Sequence, residues 1–379
     1  MDNAVYILKI LYHLLCTFLI YGLARTACGK SLTIHAGSRI LYTKDTNSRS
    51  IILGSFLIIC LLEGIYSFIC GPYHVYLADR RVFANRFVGG YYTKAASIGL
   101  YYLQDFLRLF TNNPDVLFFV VAFIFMAATL LAYNTSKDSR PMALLYMCMS
   151  QYMLYGCYQL KQALAAAFAG LAIVLFLDNK KALSIIASVL AIMFHETAFV
   201  LVPLFIVIYG SKSKIIKYSS YAFLILFVFF FSRFSMVGIR IFTNLIPDMA
   251  NQVSIYLDET GGLETGGSIL TAIKGLPIYY ITYIGFSNRD RLRNRIINID
   301  KYLLICVFAS VATLSTTFMS WMWRFSELVY FPVFIFAALM RDELETKRKR
   351  EYDLIICFSL AIFTYRKLIM SYFIYGGLV

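Results

Sequence analysis

Charged residues are scarce in this sequence, and their scarcity argues against a separate soluble domain. They account for 15% of the 379 residues, whereas hydrophobic residues account for 60%. The apolar residues occur in long runs between short basic loops, and a backbone surrounded by lipid must satisfy its hydrogen bonds within helices. The sequence therefore predicts an all-α fold, a polytopic helical bundle of roughly 12 transmembrane helices that forms one transmembrane domain over residues 1–379.

Motifs for several common chemistries are also missing. The eight cysteines are scattered, without a CxxC pair or a spacing typical of metal ligands. The chain has no Gly-rich phosphate loop, no HExxH, no GxSxG and no closely spaced acidic pair on the predicted outer side. These absences argue against nucleotide-sugar chemistry, zinc proteolysis and serine hydrolysis, and the sequence predicts neither a metal nor a cofactor.

The net charge of +14 does not indicate a nucleic-acid partner. Lys and Arg lie in loops between apolar segments, where membrane orientation and anionic lipid headgroups account for most of them. Membrane lipids are therefore the expected partners of these basic residues.

Basic residues in short loops collect on the cytoplasmic side of a membrane, so they orient the predicted spans. The clearest inner segments are SKSKIIK, RDRLRNR and RDELETKRKR, at 211–217, 289–295 and 341–350. This sidedness places both termini outside, together with two large loops at about 71–115 and 232–267. The residues before the apolar run 4–23 are acidic rather than basic, so we expect this run to remain as a helix and not to be cleaved as a signal.

The first large loop holds a segment whose pattern predicts an amphipathic helix lying on the membrane. The apolar residues of this segment are Tyr101, Tyr102, Phe106, Leu109 and Phe110. The loop is also basic, although it lies on the predicted outer side. A basic loop on that side is expected if it must hold an anion.

Sorting the charges by side predicts a basic outer rim. Its carboxylates are Asp79, Glu196 and Glu327, and its basic residues are Arg80, Arg81, Arg86, Lys161, His195, Arg233, Arg240 and Arg324. A guanidinium binds phosphate through a forked pair of hydrogen bonds, so the rim suits the pyrophosphate of a lipid. An imidazole titrates near neutral pH, and it or a carboxylate beside it could take a proton from a hydroxyl. The alternative interpretation is that Lys161 extends to a headgroup and that His195 caps a helix end.

Two apolar segments, 162–177 and 182–194, flank a short charged break before His195. The first is rich in small residues, which let neighbouring helices approach closely. These residues are Ala163, Ala165, Ala166, Ala167, Ala169, Gly170 and Ala172. The pattern predicts that this helix is central in the bundle.

The same stretch resembles a known signature. YQLKQALAAAFAGLAIVLF, followed by a Lys-Lys turn and LAIMFHETAFVLVPLF, is similar to the signature of the EpsG-like branch of Wzy-type polysaccharide polymerases. The resemblance also takes in YHVYLADRRVF in the first large loop and Arg324 in WRFSELVYF. Where that family usually has Arg before the Gln, this chain has Lys161 before Gln162, which keeps the charge but loses the bidentate fork.

The resemblance implies an inverting, metal-independent glycosyltransferase with the architecture of lipid-phosphosugar (GT-C-like) enzymes. It would move a growing glycan from undecaprenyl pyrophosphate to a lipid-linked repeat unit, on the periplasmic side of the bacterial inner membrane, in O-antigen or exopolysaccharide biosynthesis. Its partners would be the undecaprenyl pyrophosphate-linked oligosaccharide and a chain-length regulator protein. His195 is the first candidate for the base that activates the acceptor hydroxyl, Asp79 the second and Glu196 the third. The substrate-binding candidates are Arg80, Arg81, Arg86, Tyr158, Lys161, Gln162, Arg233, Arg240, Arg324 and Glu327.

Three other activities compete with this interpretation. An O-antigen ligase would use the same donor and differ only in its acceptor. A flippase or transporter of lipid-linked oligosaccharide is expected to show an inverted repeat and charges near the bilayer midplane, whereas the charges here lie mainly at helix ends. An acyltransferase also uses an intramembrane histidine, but the matched signature favours the polymerase.

Overall fold

The computed structural model describes residues 78–90, 97–133, 140–150, 159–210, 273–316 and 323–375, together with two short strands, Tyr218 and scattered positions between 7 and 22. Side chains are described for most of these residues, but not for 78–81, 133, 140–141, 363–375 or the two strands. The predicted span 51–70, the predicted span 218–231 beyond its first residue, and the second large loop at 232–267 lie outside the described residues.

Helices account for nearly all of the described chain. In order they are α1 Ala78–Gly89, α2 Ile98–Arg108, α3 Pro114–Tyr133, α4 Arg140–Met149, α5 Leu160–Leu177, α6 Lys181–Phe194, a 3-10 helix Glu196–Val200, α7 Leu201–Gly210, α8 Leu276–Ser287, α9 Arg289–Arg293, α10 Ile299–Ser315, α11 Trp323–Asp342 and α12 Thr346–Tyr375. Helix α3 shows how local sequence starts such an element. Asn113 Oδ1 accepts a hydrogen bond from the backbone N–H of Asp115 over 3.0 Å, and Pro114 occupies the first helical position, where its missing N–H costs nothing.

The expectation of a helical fold is confirmed, and the described residues outside the helices include one short hairpin. Strands β1, Ile34–Ala36, and β2, Arg39–Leu41, pair in an antiparallel hairpin with Ala36 opposite Arg39. The same register pairs Ile34 with Leu41 and His35 with Ile40. The segment 25–49, which is predicted to be a loop because of its basic charge, therefore contains a short sheet.

Three of the described helices are long and apolar enough to cross a membrane. They are Pro114–Ala132 within α3, Leu160–Leu177 and Trp323–Asp342. Two shorter apolar segments, Lys181–Phe194 and Glu196–Gly210, follow the second of these. The described residues thus form a helical protein with the character of a membrane protein, as the sequence predicts, while the number of spans and their sidedness stay predictions.

Contacts group the chain into two compact units. The first comprises residues 1–91, 104–164 and 360–379, and within it α3 packs against both α1 and α4. The second comprises residues 92–103 and 165–359. Its centre is α11, which packs along α10 and against α8; the ring of Phe336 in α11 stacks on Tyr302 of α10, with the centroids 5.3 Å apart.

The prediction of close packing through small residues is confirmed for α5. Its alanines at 165, 166, 169 and 172 are completely buried. A Cβ added to Gly170 would lie 2.7 Å from the Cβ of Phe331, which is closer than two carbon atoms can approach. Glycine at this position therefore sets how closely α5 and α11 pack.

Helices α5 and α6 form a tight hairpin. Ser184 Oγ in α6 donates a buried hydrogen bond of 2.7 Å to the backbone carbonyl of Ala172 in α5. The opposite side of α6 exposes apolar side chains at 183, 185, 186 and 189, as expected for a helix that faces lipid. The hairpin carries the chain directly to His195.

The amphipathic helix predicted in the first large loop is observed as α2. Ile98, Tyr102 and Phe106 lie along its exposed side, and Leu100 and Leu107 lie on its buried side. Leu109 and Phe110, just beyond its end, are also exposed. An exposed apolar face of this kind suits a helix that lies on a membrane surface.

Candidate functional site

His195 stands at a sharp corner between two helical segments. Its backbone is extended, with φ −157° and ψ 131°, and its N–H donates to the carbonyl of Ala191, which closes α6. The next residues, Glu196–Val200, form the 3-10 helix, and His195 is its N-cap. The imidazole Nδ1 accepts a hydrogen bond from the backbone N–H of Thr197 over 3.2 Å. The interpretation that His195 caps a helix end is therefore confirmed.

This cap sets the proton position on the imidazole ring. A backbone N–H can only donate, so Nδ1 is the accepting nitrogen and a neutral ring carries its proton on Nε2. The hydroxyl of Thr197 lies 3.1 Å from the same Nδ1. Only 7% of His195 is exposed, which holds the ring in one orientation.

Glu196 differs from its neighbour in exposure. Its Oε2 lies 3.5 Å from His195 Nδ1, but 59% of its side chain is exposed. A carboxylate so placed keeps most of its hydration, and solvent weakens the ionic attraction that it would have for a protonated imidazole. Glu196 is therefore the accessible carboxylate of this corner.

Ser97, from a distant part of the sequence, forms a hydrogen bond to the residue before His195. It stands immediately before α2, and its buried Oγ donates a hydrogen bond of 2.7 Å to the carbonyl of Phe194. The ring of Phe194 stacks on Phe168 of α5, with the ring centroids 5.7 Å apart. Sequence reasoning missed Ser97, although a serine just before an amphipathic helical run is a recognisable N-cap signal.

Helix α11 meets this corner. The 3-10 helix that His195 caps contacts α11, whose first two residues are Trp323 and Arg324. The guanidinium carbon of Arg324 lies 5.7 Å from the ring centroid of Trp323, a cation–π arrangement. The structure therefore brings the segment that begins at His195 and Glu196 together with the helix that carries Arg324.

Glu327 is a buried carboxylate. It belongs to α11 as predicted, but only 1% of it is exposed, because residues 325–329 are all buried within the first turns of that helix. Nearby, Ser326 Oγ donates to the hydroxyl of Tyr330 over 3.2 Å. The turn of α11 thus carries Glu327 into the helix bundle, whereas Arg324 stays half-buried at its start.

The other predicted site residues are distributed as follows. Lys161, half-buried, and Gln162, buried, lie in the first turn of α5 and belong to the first unit, as does the exposed Arg86. Asp79, Arg80 and Arg81 lie in the first turn of α1, but their side chains are outside the described part. Tyr158, Arg233 and Arg240 also fall outside it. Their gathering on one outer rim stays a prediction.

Metal ligands are not grouped in the part of the chain that the structure describes. No set of three or more His, Cys, Asp or Glu side chains there is close enough to hold a metal ion.

Comparison with known proteins identifies one family. The model of a family described as the EpsG family matches residues 56–377, which is most of the chain and includes every predicted site residue. No curated protein and no solved structure matches the sequence.

Proposed function

The chain belongs to the EpsG family, and from this membership we propose that it is a polysaccharide polymerase of the bacterial inner membrane. It would transfer a growing glycan from undecaprenyl pyrophosphate to a lipid-linked repeat unit on the periplasmic side. The product would be an O-antigen of lipopolysaccharide or an exopolysaccharide. The apolar helices support the membrane location, and the family supports the polymerase chemistry.

One observation carries the proposal beyond family membership. The segment that begins at His195 and Glu196 contacts the helix that starts with Trp323 and Arg324. An imidazole, an exposed carboxylate and a guanidinium are thereby held by packed elements of one unit. Such a set can bind a pyrophosphate and act on a hydroxyl, and these are the two tasks that the reaction requires.

The reaction would be a single displacement. The acceptor hydroxyl oxygen forms a bond to the anomeric carbon of the donor glycan, and the bond from that carbon to the pyrophosphate oxygen breaks. Undecaprenyl pyrophosphate leaves with the bonding electron pair, and the hydroxyl proton passes to a base on the protein. Arg324, together with Arg80 and Arg81, would stabilise the charge that develops on the leaving pyrophosphate.

The cap geometry favours a donor role for His195. With Nδ1 engaged by the N–H of Thr197, the neutral ring carries its proton on Nε2 and donates a hydrogen bond from there. A donor stabilises the leaving oxygen or orients the acceptor, whereas a base must accept a proton. We therefore place the base among the carboxylates, Asp79 or Glu196, which reverses the order that the sequence alone suggests.

The activity is tested by the glycans of a strain that lacks this protein. If the chain is a polymerase, the strain should leave a single repeat unit on the acceptor, and the gene supplied in trans should restore long chains. Lipid-linked polymer that fails to reach its acceptor would instead identify a ligase. Single lipid-linked units that remain on the cytoplasmic face would identify a flippase.

A further inference from the structure

Ser97 forms a long-range link to the corner that holds His195. Its hydroxyl donates 2.7 Å to the carbonyl of Phe194, and the two residues are 97 positions apart in the sequence. The same oxygen accepts from the backbone N–H of Leu100 over 3.4 Å, at the start of α2. One buried side chain therefore joins the beginning of α2 to the last residue of α6.

The backbones of the two helices are also in close contact. A Cβ added to Gly99 would lie 3.0 Å from both the carbonyl oxygen of Met193 and the Cδ1 atom of Phe194. Glycine thus allows α2 to approach the end of α6 closely enough for the Ser97 bond to form. The carbonyls in the last turn of a helix have no partner within that helix, so a hydroxyl at this place satisfies one of them.

These contacts restrict the peptide that follows them. The peptide carbonyl of Phe194 belongs to the same planar unit as the N–H of His195, and that N–H donates to Ala191 over 3.0 Å. With both sides of this peptide bonded, His195 leaves α6 in a single direction. Its imidazole is in turn held by the N–H of Thr197.

We propose that Ser97 is a positioning residue for His195, and that α2 orients the imidazole at the reaction centre by fixing the carbonyl of Phe194. This role rests on the proposed function, because Ser97 acts only through His195. The exposed apolar side of α2, with Ile98, Tyr102 and Phe106, lies away from this contact and would rest on the membrane surface. The helix would thereby set the level of the imidazole relative to the headgroups, where a lipid pyrophosphate lies.

The proposal is tested with Ser97→Ala in the full chain, in membranes. The substrate is the lipid-linked repeat unit extracted from the strain that lacks this protein, and the readouts are kcat, KM and the amount of protein in the membrane. A misplaced catalytic group can cost roughly a hundred-fold in rate. We expect kcat to fall about ten- to a hundred-fold with KM nearly unchanged, and Ser97→Thr, which keeps the hydroxyl, to restore most of it.

Ser184→Ala is the matched control. Ser184 Oγ also donates a buried bond of 2.7 Å to a backbone carbonyl within the same unit, but its acceptor is Ala172, in the middle of α5. We expect this variant to keep kcat. Equal losses in the two alanine variants, or a failure of Ser97→Thr to recover kcat, would show that Ser97 only contributes to packing.

His195→Ala distinguishes a failure of the positioning role from a failure of the role of His195 in the reaction. If His195→Ala is inactive and Ser97→Ala is as active as the unsubstituted chain, the positioning role is wrong while the proposed function stands. If His195→Ala remains fully active, the role of His195 in the proposed reaction is wrong, and the positioning role fails with it.

Discussion

The two ends of helix α11 place arginines in different surroundings. Near its end, Arg341 Nε lies 2.8 Å from both carboxylate oxygens of Asp353 in α12. At its start, Arg324 lies over the ring of Trp323. A carboxylate neutralises a guanidinium, whereas an aromatic ring attracts the cation without cancelling its charge. The same residue type is thus paired with a carboxylate at one end of the helix and packed against an aromatic ring at the other.

The surroundings of each end reinforce this contrast. Around Arg341, further ion pairs join neighbouring segments: Arg289 to Asp300 and Arg295 to Glu343, each at 2.7 Å. The 3-10 helix capped by His195 packs against α11, whose first residues are Trp323 and Arg324. The first set pairs Arg289, Arg295 and Arg341 of the predicted inner segments with carboxylates. The second is the set for which we predict chemistry.

The largest effect is expected at His195. His195→Ala removes the Nε2 donor, and losing one donor to a developing oxyanion typically costs about a hundred- to a thousand-fold in kcat. His195→Gln should retain more activity than His195→Ala, because a glutamine amide can donate from nearly the same place. Turnover of extracted lipid-linked repeat units by membranes containing each variant measures this difference.

Two carboxamide variants test whether a carboxylate is the base. Removing a general base typically costs about a hundred- to ten-thousand-fold in rate, so either Asp79→Asn or Glu196→Gln should be strongly impaired. Full activity in both, combined with a His195→Gln variant as inactive as His195→Ala, would make His195 the base after all.

A second experiment compares the two arginines of α11 directly. Arg324→Ala should lower kcat by about a hundred-fold through lost stabilisation of the leaving pyrophosphate, and should leave thermal stability nearly unchanged. Arg341→Ala should lower thermal stability and leave kcat nearly unchanged. It removes the ion-pair partner of the half-buried Asp353, at a cost of about 1–3 kcal/mol in the free energy of unfolding, while the reaction centre is untouched. Turnover and thermal unfolding in detergent measure the two effects. Equal changes in kcat and in thermal stability for both variants would show that the two ends of α11 do not differ in function.

The last experiment reports sidedness by thiol labelling, a measurement that does not require the variants to be active. Glu196→Cys should react with a membrane-impermeant thiol reagent added to the periplasmic side, since Glu196 is exposed, whereas the exposed Arg348→Cys should react only after the membrane is opened. The unsubstituted chain, with its eight cysteines, supplies the background labelling. Labelling of Arg348→Cys alone in intact cells would invert the predicted topology.

Much of the helical architecture was predictable from the sequence, because lipid imposes both the length and the apolar character of a spanning helix. The segments predicted at 162–177 and 182–194 are observed as Leu160–Leu177 and Lys181–Phe194. The small residues of α5 likewise predicted its close packing, because only small side chains leave room for a neighbouring backbone. The charge of the segment 25–49, in contrast, did not reveal the hairpin within it, since strand pairing depends on register and not on net charge.

The arrangement of polar groups was not predictable in the same way. By itself the sequence determined that His195 follows an apolar helix and that Arg324 and Glu327 begin another, because hydrophobic runs and their charged ends are local properties. Only the tertiary structure decided that Glu327 turns into the bundle, that Thr197 holds Nδ1 of His195, and that Ser97 reaches across 97 positions to Phe194. Burial and hydrogen-bond partners depend on which helix covers which face, and that choice is made by packing across the whole chain.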